Sequence, residues 1–231
     1  MSDNNSLLNW KPCGRPGNSV LVGDYAVCEP YQQSRHSTGL FTALGGLDNT
    51  DLWAFMPFGP FEAAADIDSM LAHVNPEVPT EGSWQTMVIR CAATTEILGV
   101  ASYMRIREVY GSAEVGAVAF SKKLQRTRIA SDAMYLMARH VFDDLGYRRY
   151  EWKCHHANDA SKRAAIRFGF QYEGVFRNDM IVKGKNRDTV WYAMTDDDWP
   201  LIHTGFKAWL APENFGSDGN QRHRMETLRC S

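Results

Sequence analysis

The stretch between Ala130 and Leu145 constrains this chain more than any other. Ala130, Ala133, Met134, Met137, Ala138, Val141 and Leu145 recur at i, i+3, i+4 and i+7 and form one apolar helical stripe. Such a stripe has to be buried against a second layer. Gly146 follows as a natural residue just past a helix end. Strand-like segments flank the helix, residues 113–120 before it and the aromatic-rich residues 147–154 after it. A strand–helix–strand unit of this length closes with parallel strands and a right-handed crossover.

The remaining elements arrange themselves around that unit. Residues 20–30 read as a first strand and residues 31–44 as a weak helix. Pro60 opens a better helix, with Ala63, Ile67, Met70, Leu71 and Val74 on one face. After a loop at 75–82, residues 83–93 and 97–108 form strands joined by a polar turn, and residues 113–120 complete an antiparallel meander. Asn158 starts a short helix that Gly169 ends. Residues 170–182 and 188–194 read as a hairpin. A last helix from near Thr195 buries Trp199, Ile202, Phe206 and Leu210. Residues 11–19 carry Pro12, Gly14, Pro16 and Gly17 and read as an extended arm, and the polar tail from Asn214 is expected to be mobile. The expected organisation is an arm at 1–18, one α+β domain at 19–212 and a tail at 213–231.

Composition narrows the function. Of 231 residues, 44% are apolar and 23% charged, enough apolar material for one core. The formal net charge of −2 gives no global attraction to nucleic acid or anionic lipid. No apolar run approaches the roughly 18–20 residues needed to cross a bilayer. Residues 1–9 lack the basic start and apolar block of a secretory signal. Cys13, Cys28, Cys91, Cys154 and Cys230 are odd in number and far apart, with no C-x-x-C pair. That pattern argues against a zinc site or a disulfide framework and fits a cytoplasmic protein. No metal is expected.

From Leu98 to Pro200 four local signals occur in order. They are Leu98-Gly99-Val100-Ala101-Ser102, then Glu114-Val115-Gly116-Ala117-Val118-Ala119-Phe120, then Leu124-Gln125-Arg126-Thr127-Arg128-Ile129-Ala130-Ser131 ahead of the amphipathic helix. The fourth is Asn158-x-x-Ser161 with Arg167-Phe168-Gly169-Phe170 and Glu173-Gly174. Together they resemble the GNAT superfamily of N-acetyltransferases, and the fourth resembles its ribosomal-protein N-acetyltransferase-like (RimJ/RimL-like) branch. The resemblance also reaches the aromatic segment at 52–61 and the Asp198-Trp199-Pro200 helix start. It implies a mixed central sheet of about seven strands with helices on both faces. It also implies acetyl-CoA as co-substrate and direct transfer of the acetyl group to a primary amine.

Roles for particular residues follow from the resemblance. The pantetheine arm would pair with Val118, Ala119 and Phe120, where two central strands splay. The pyrophosphate would sit on Gln125, Arg126, Thr127, Arg128, Ile129, Ala130 and Ser131. A helix N-terminus offers free N–H groups and partial positive charge there. The family's loop carries glycine where this chain has Arg128, so the loop's shape is expected to differ. Arg126 and Arg128 either contact phosphate or are solvated surface. Glu114 is the candidate base, since an ammonium acceptor must lose a proton near neutral pH. Its alternative is a strand-end glutamate paired with an arginine. Asn158 would contact the cofactor and Ser161 the leaving sulfur, unless Asn158 only caps the helix and Ser161 bonds locally. His155 and His156 are strand neighbours, so at most one faces the site. Trp53, Phe55, Met56 and Phe58 would wall the acceptor. Arg187 and Asp188 are expected to form a local ion pair.

Two further readings stand beside this one. A GNAT-fold module could bind acyl-CoA as a sensor or assembly subunit without catalysis, which the retained Glu114 and Ser161 argue against. A nucleic-acid module would need a basic stripe with interleaved aromatics, and none is present. Net charge and the aromatic segment favour a small-molecule amine over a protein N-terminus. Monomer and homodimer both stay open.

Overall fold

The computed structural model describes residues 7–80 and 82–229. Cys230 and residues 1–6 of the arm lie outside the described residues. One eight-stranded sheet organises the chain. Its strands are β1 (Leu21–Val22), β2 (Ala26–Pro30), β3 (Gln85–Cys91), β4 (Ile97–Arg107), β5 (Ser112–Phe120), β6 (Arg149–His155), β7 (Gln171–Val182) and β8 (Lys185–Thr195). They lie in the order β1-β2-β3-β4-β5-β6-β8-β7. Strands β1 to β5 form an antiparallel meander, and β5 pairs with β6 in parallel, as the crossover demands. The expected first strand is two, because the chain reverses at Gly23 between β1 and β2.

Helices cover both faces. On one face α1 (Gln33–Leu44) and α2 (Ala64–Val74) pack with residues 52–61 over Val88, Val100 and Ala119. On the other, α3 (Arg128–Arg139), α4 (Asp159–Phe168) and α5 (Trp199–Leu210) bury the larger core. The stripe of α3 is buried as its periodicity predicts, and a π-type turn at His140–Asp144 carries the chain to Gly146. Helix α2 starts at Ala64 rather than at Pro60. The Asp66 carboxylate accepts the Ala63 N–H at 3.1 Å and fixes the start there.

The described parts of the arm and of the tail are both docked. The arm crosses one end of the central strands β3, β4 and β5, with Arg15 paired to Glu108 at 2.8 Å and the Tyr147 hydroxyl donating to Gly14 O. The tail is packed, not mobile. Met225 is buried in the main core, Phe215 packs edge-on against Trp209, and the Trp209 indole donates to Gln221. Phe215, Met225 and Leu228 are the apolar anchors of an otherwise polar stretch.

A candidate active site where two central strands part

The site is created by a failure of pairing. Strands β5 and β6 are registered only from Ser112↔Arg149 to Val115↔Trp152. Beyond that, β5 stays with β4 as far as Phe120, and β6 stays with β8 as far as His155. The sheet therefore opens between them. A bulge in β5 starts the divergence: the register with β4 shifts between Val100 and Ser102, and Ala117 takes φ 48°. Ser121 N–H donates to Leu98 O, so the backbone polar groups of Phe120 point away from β4 and into the gap. The Gln125 side-chain amide donates to the Phe120 carbonyl at 3.0 Å.

Glu114 sits at the closed end of this gap. Its neighbours Ala113 and Val115 belong to the main core, so alternation sends Glu114 to the α1–α2 face. The side chain is buried. Lys153 Nζ lies 3.2 Å from its Oε2 and Arg105 Nε lies 3.8 Å away. Both cations also sit against the Trp191 ring, Arg105 at 5.0 Å and Lys153 at 5.1 Å from its centroid. Burial pushes the Glu114 carboxyl up to about 7, against the opposing pull of Lys153 and Arg105 and with help from the Glu151 charge. Glu151 lies directly opposite Glu114 on β6 and is held by Arg107 at 2.7 Å and Arg149 at 2.8 Å. Gly116 completes the corner. A Cβ there would stand 2.7 Å from Glu114 Oε1 and 2.5 Å from Met104 Sδ, so only glycine leaves the carboxylate its place.

The loop before α3 is built by local bonds. Thr127 caps the helix by accepting Ala130 N–H, and Arg126 takes the left-handed φ of 62°. Arg128, by contrast, is the first helical residue, where glycine's freedom is not required. Its guanidinium does not point into solvent. It lies 4.9 Å from the Tyr25 ring and 4.3 Å from the Phe215 ring, between the first hairpin and the tail. Ser131 is occupied as well, accepting from Arg167 at 3.1 Å.

At the start of α4 the Asn158 carboxamide accepts the Ser161 N–H at 3.0 Å, a helix cap. The Ser161 hydroxyl accepts the Trp152 indole N–H at 3.0 Å, on the main-core side of β6. The local bonding named as the alternative is thus present at both residues. Asn158→Ala is expected to cost about 1 kcal/mol of stability through the lost cap. Chemical denaturation measures this, and an unchanged midpoint would mean that the cap contributes nothing.

The aromatic segment divides. Trp53 is a core residue rather than a wall: it is buried, packs edge-on against Phe61, and its indole donates to Leu44 O. Met56 and Phe58 pack on the same small core. Phe55 is exposed and its ring lies tilted 5.2 Å from His155 at the end of β6, where β6 borders the gap. The hairpin tip pins this segment, with Lys183 Nζ donating to Trp53 O and Arg187 Nη1 reaching Phe55 O. The expected Arg187–Asp188 pair does not form. Adjacent strand residues face opposite sides. Asp188 accepts from Asn178 N–H and Asn186, while Arg187 turns toward Thr189.

Sequence reasoning missed Lys153, Arg105 and Trp191 around Glu114. Alternation along β6 and β8 puts Lys153 on one face with Glu151, and Trp191 opposite Lys153. That pairing follows only once the β6–β8 register is known. Among the described residues, no group of three His, Cys, Asp or Glu side chains could hold a metal ion.

Comparison with known proteins agrees with this architecture. The sequence profile of the GNAT acetyltransferase domain matches residues 36–171. A GCN5-related N-acetyltransferase from Brucella melitensis is 35% identical and superposes with a TM-score of 0.91, over 97% of this chain and 100% of that one. A Chromobacterium violaceum protein assigned to the same family is 34% identical, with a TM-score of 0.79 over 87% and 98% of the two chains. The spermidine N-acetyltransferase of Vibrio cholerae, solved with CoA and spermine, shares the fold at 12% identity and a TM-score of 0.61, over 77% and 99%. No curated protein matches. The fold is that of an N-acetyltransferase. The chain belongs to the GNAT acetyltransferase family.

Proposed function

We propose that this protein transfers an acetyl group from acetyl-CoA to a primary amine by direct attack, with Glu114 taking the amine proton. The observation that carries the reading is a buried carboxyl, pushed up to about 7, at the closed end of a gap between two central strands. A base works best when its pKa lies near the working pH. The outward backbone of Phe120 offers the pantetheine arm hydrogen bonds, and the turn ahead of α3 offers the pyrophosphate N–H groups. The amine nitrogen attacks the thioester carbon, the C–S bond breaks, and the thiolate leaves. Ser161 is the candidate to steady that sulfur: its oxygen accepts from Trp152, and its hydroxyl proton, shared with the Cys154 sulfur, would have to turn to the leaving thiolate. Within the family we assign the chain to the RimJ/RimL-like branch, on the Asn158-x-x-Ser161 to Glu173-Gly174 motif, and to the cytoplasm. No described helix is long and apolar enough to cross a membrane, and Cys13, Cys28, Cys91 and Cys154 are free thiols.

Two measurements test the reading. Acetyl-CoA at about 100 times its dissociation constant is expected to add about 2.7 kcal/mol of stability, seen as a raised Tm. Free-thiol release against a panel of amines should then be steady with one acceptor class. No Tm shift at millimolar acetyl-CoA would overturn the cofactor. A Tm shift without thiol release from any amine would favour a sensor.

A further inference from the structure

We infer that the amine acceptor carries an anionic group, a carboxylate or phosphate, which Arg187 receives while the amine faces Glu114. This rests on the reading of Glu114 as the base. Arg187 is 8% exposed and shares the α1–α2 face with Thr189 and Trp191. Its Nε donates to Thr189 Oγ1 at 3.2 Å and its Nη1 reaches Phe55 O only at 3.5 Å. It forms no ion pair with any described carboxylate and stacks on no described ring. A guanidinium offers five N–H donors, and a buried cation without counter-charge is costly unless a partner arrives. The other cations around the site are matched: Lys153 has Glu114, and the more exposed Arg107 and Arg149, at the far end of β6, share Glu151.

The bond to Thr189 turns the Arg187 head back along β8 toward the gap. Thr189 pairs with His155, and His155 touches Phe55. The head thus lies beside the open end of the site, about 7 Å along the strand from the Trp191 level, at roughly 3.3 Å per residue. That leaves room for an anion several bonds from the reacting nitrogen. The field agrees. Lys153 and Arg105 flank the one carboxyl of Glu114 and Arg187 stands further out at the open end, so a second or third ammonium of a polyamine would meet like charge there.

The experiment compares β-alanine, γ-aminobutyrate and ε-aminocaproate, each with its carboxamide, together with phosphoethanolamine and spermidine. Calorimetry measures binding to the CoA complex, and thiol release measures kcat/KM. One carboxylate or the phosphate should exceed its uncharged counterpart by about 10- to 100-fold, the range for hydrogen bonds to a charged group. Spermidine should be the poorest. Arg187→Gln should lower kcat/KM for the anionic acceptors far more than for their carboxamides, and Arg187→Lys should restore part of the difference. Equal handling of acid and amide by the wild type, or equal loss on both in Arg187→Gln, would overturn the inference. Charge-selective binding without acetyl transfer would sink the catalytic reading and leave the anion site standing.

Discussion

Replacing Glu114 by glutamine is expected to lower kcat at neutral pH by about 10²–10⁴ while acetyl-CoA affinity stays nearly constant. Glutamine keeps the shape that Gly116 leaves room for, but it cannot accept a proton. The pH profile separates a base from a structural residue. Wild-type rate should rise as pH passes up through about 7, because the buried carboxyl must first lose its own proton. In Glu114→Gln that limb disappears, and the remaining rise follows the amine, near 10.4 for an alkyl ammonium. The two profiles therefore converge at alkaline pH. Stability gives a second check. The folded carboxyl holds its proton to about 7 and the unfolded one releases it near 4.5. Folding thus takes up a proton across that window, and stability falls as pH rises through it, by at most about 1.4 kcal/mol per pH unit. The slope should vanish in the variant. Parallel rate profiles would assign proton removal elsewhere.

Glu29→Ala is expected to destabilise the protein by about 3–5 kcal/mol. Glu29 on β2 is buried and bonds three partners: His36 Nε2 at 3.1 Å, Arg90 Nε at 3.0 Å and Arg35 Nη2 at 3.1 Å. His36 Nδ1 accepts the Gln32 N–H, so Nε2 carries the proton and donates to Glu29. Removing the carboxylate strands a buried imidazole N–H and a half-buried guanidinium together. At about 2–4 °C per kcal/mol for a chain of this size, Tm should fall by roughly 6–20 °C. Burial alone would raise the Glu29 carboxyl, but His36, Arg90 and Arg35 hold it below the ordinary range. Its contribution is therefore complete above the unfolded pKa and is lost as pH falls through the lower folded value. Arg35→Ala should cost less than about 1 kcal/mol, because that side chain is 53% exposed. A Tm for Glu29→Ala within a few degrees of wild type would show that the cluster is ornamental to stability.

Much of the fold was legible because it rests on local periodicity. The α3 stripe, the meander turns and Gly146 each carry their signal within a few residues. The two-residue turn Lys183-Gly184, with φ 49° and 73°, makes the hairpin tighter than the expected gap at 183–187 and starts β8 at Lys185. Glu114 was visible as an acidic strand residue, but its burial was not. That depends on Lys153 and Trp191, brought beside it by pairings between segments about 40 residues apart in sequence. Trp53 read as a wall because sequence shows an aromatic cluster without showing which ring turns inward. Arg187 read as half of a local pair because proximity in sequence is not proximity across a strand. The tail misled through composition: its few anchoring residues are diluted by polar neighbours.

Arg128, where the family's loop has glycine, clasps the Tyr25 ring on one side and the Phe215 ring on the other. The residue that opens α3 is thereby tied to both the first hairpin and the last segment of the chain. A loop with glycine owes its shape to its own backbone alone. Here Phe215 belongs to the loop's scaffolding, more than 80 residues downstream of it. A tag, a trimmed terminus or a proteolytic nick after Asn214 is then no peripheral edit. It loosens a rivet beneath the loop at the head of α3, and any comparison of tagged and untagged protein carries that mechanical change with it.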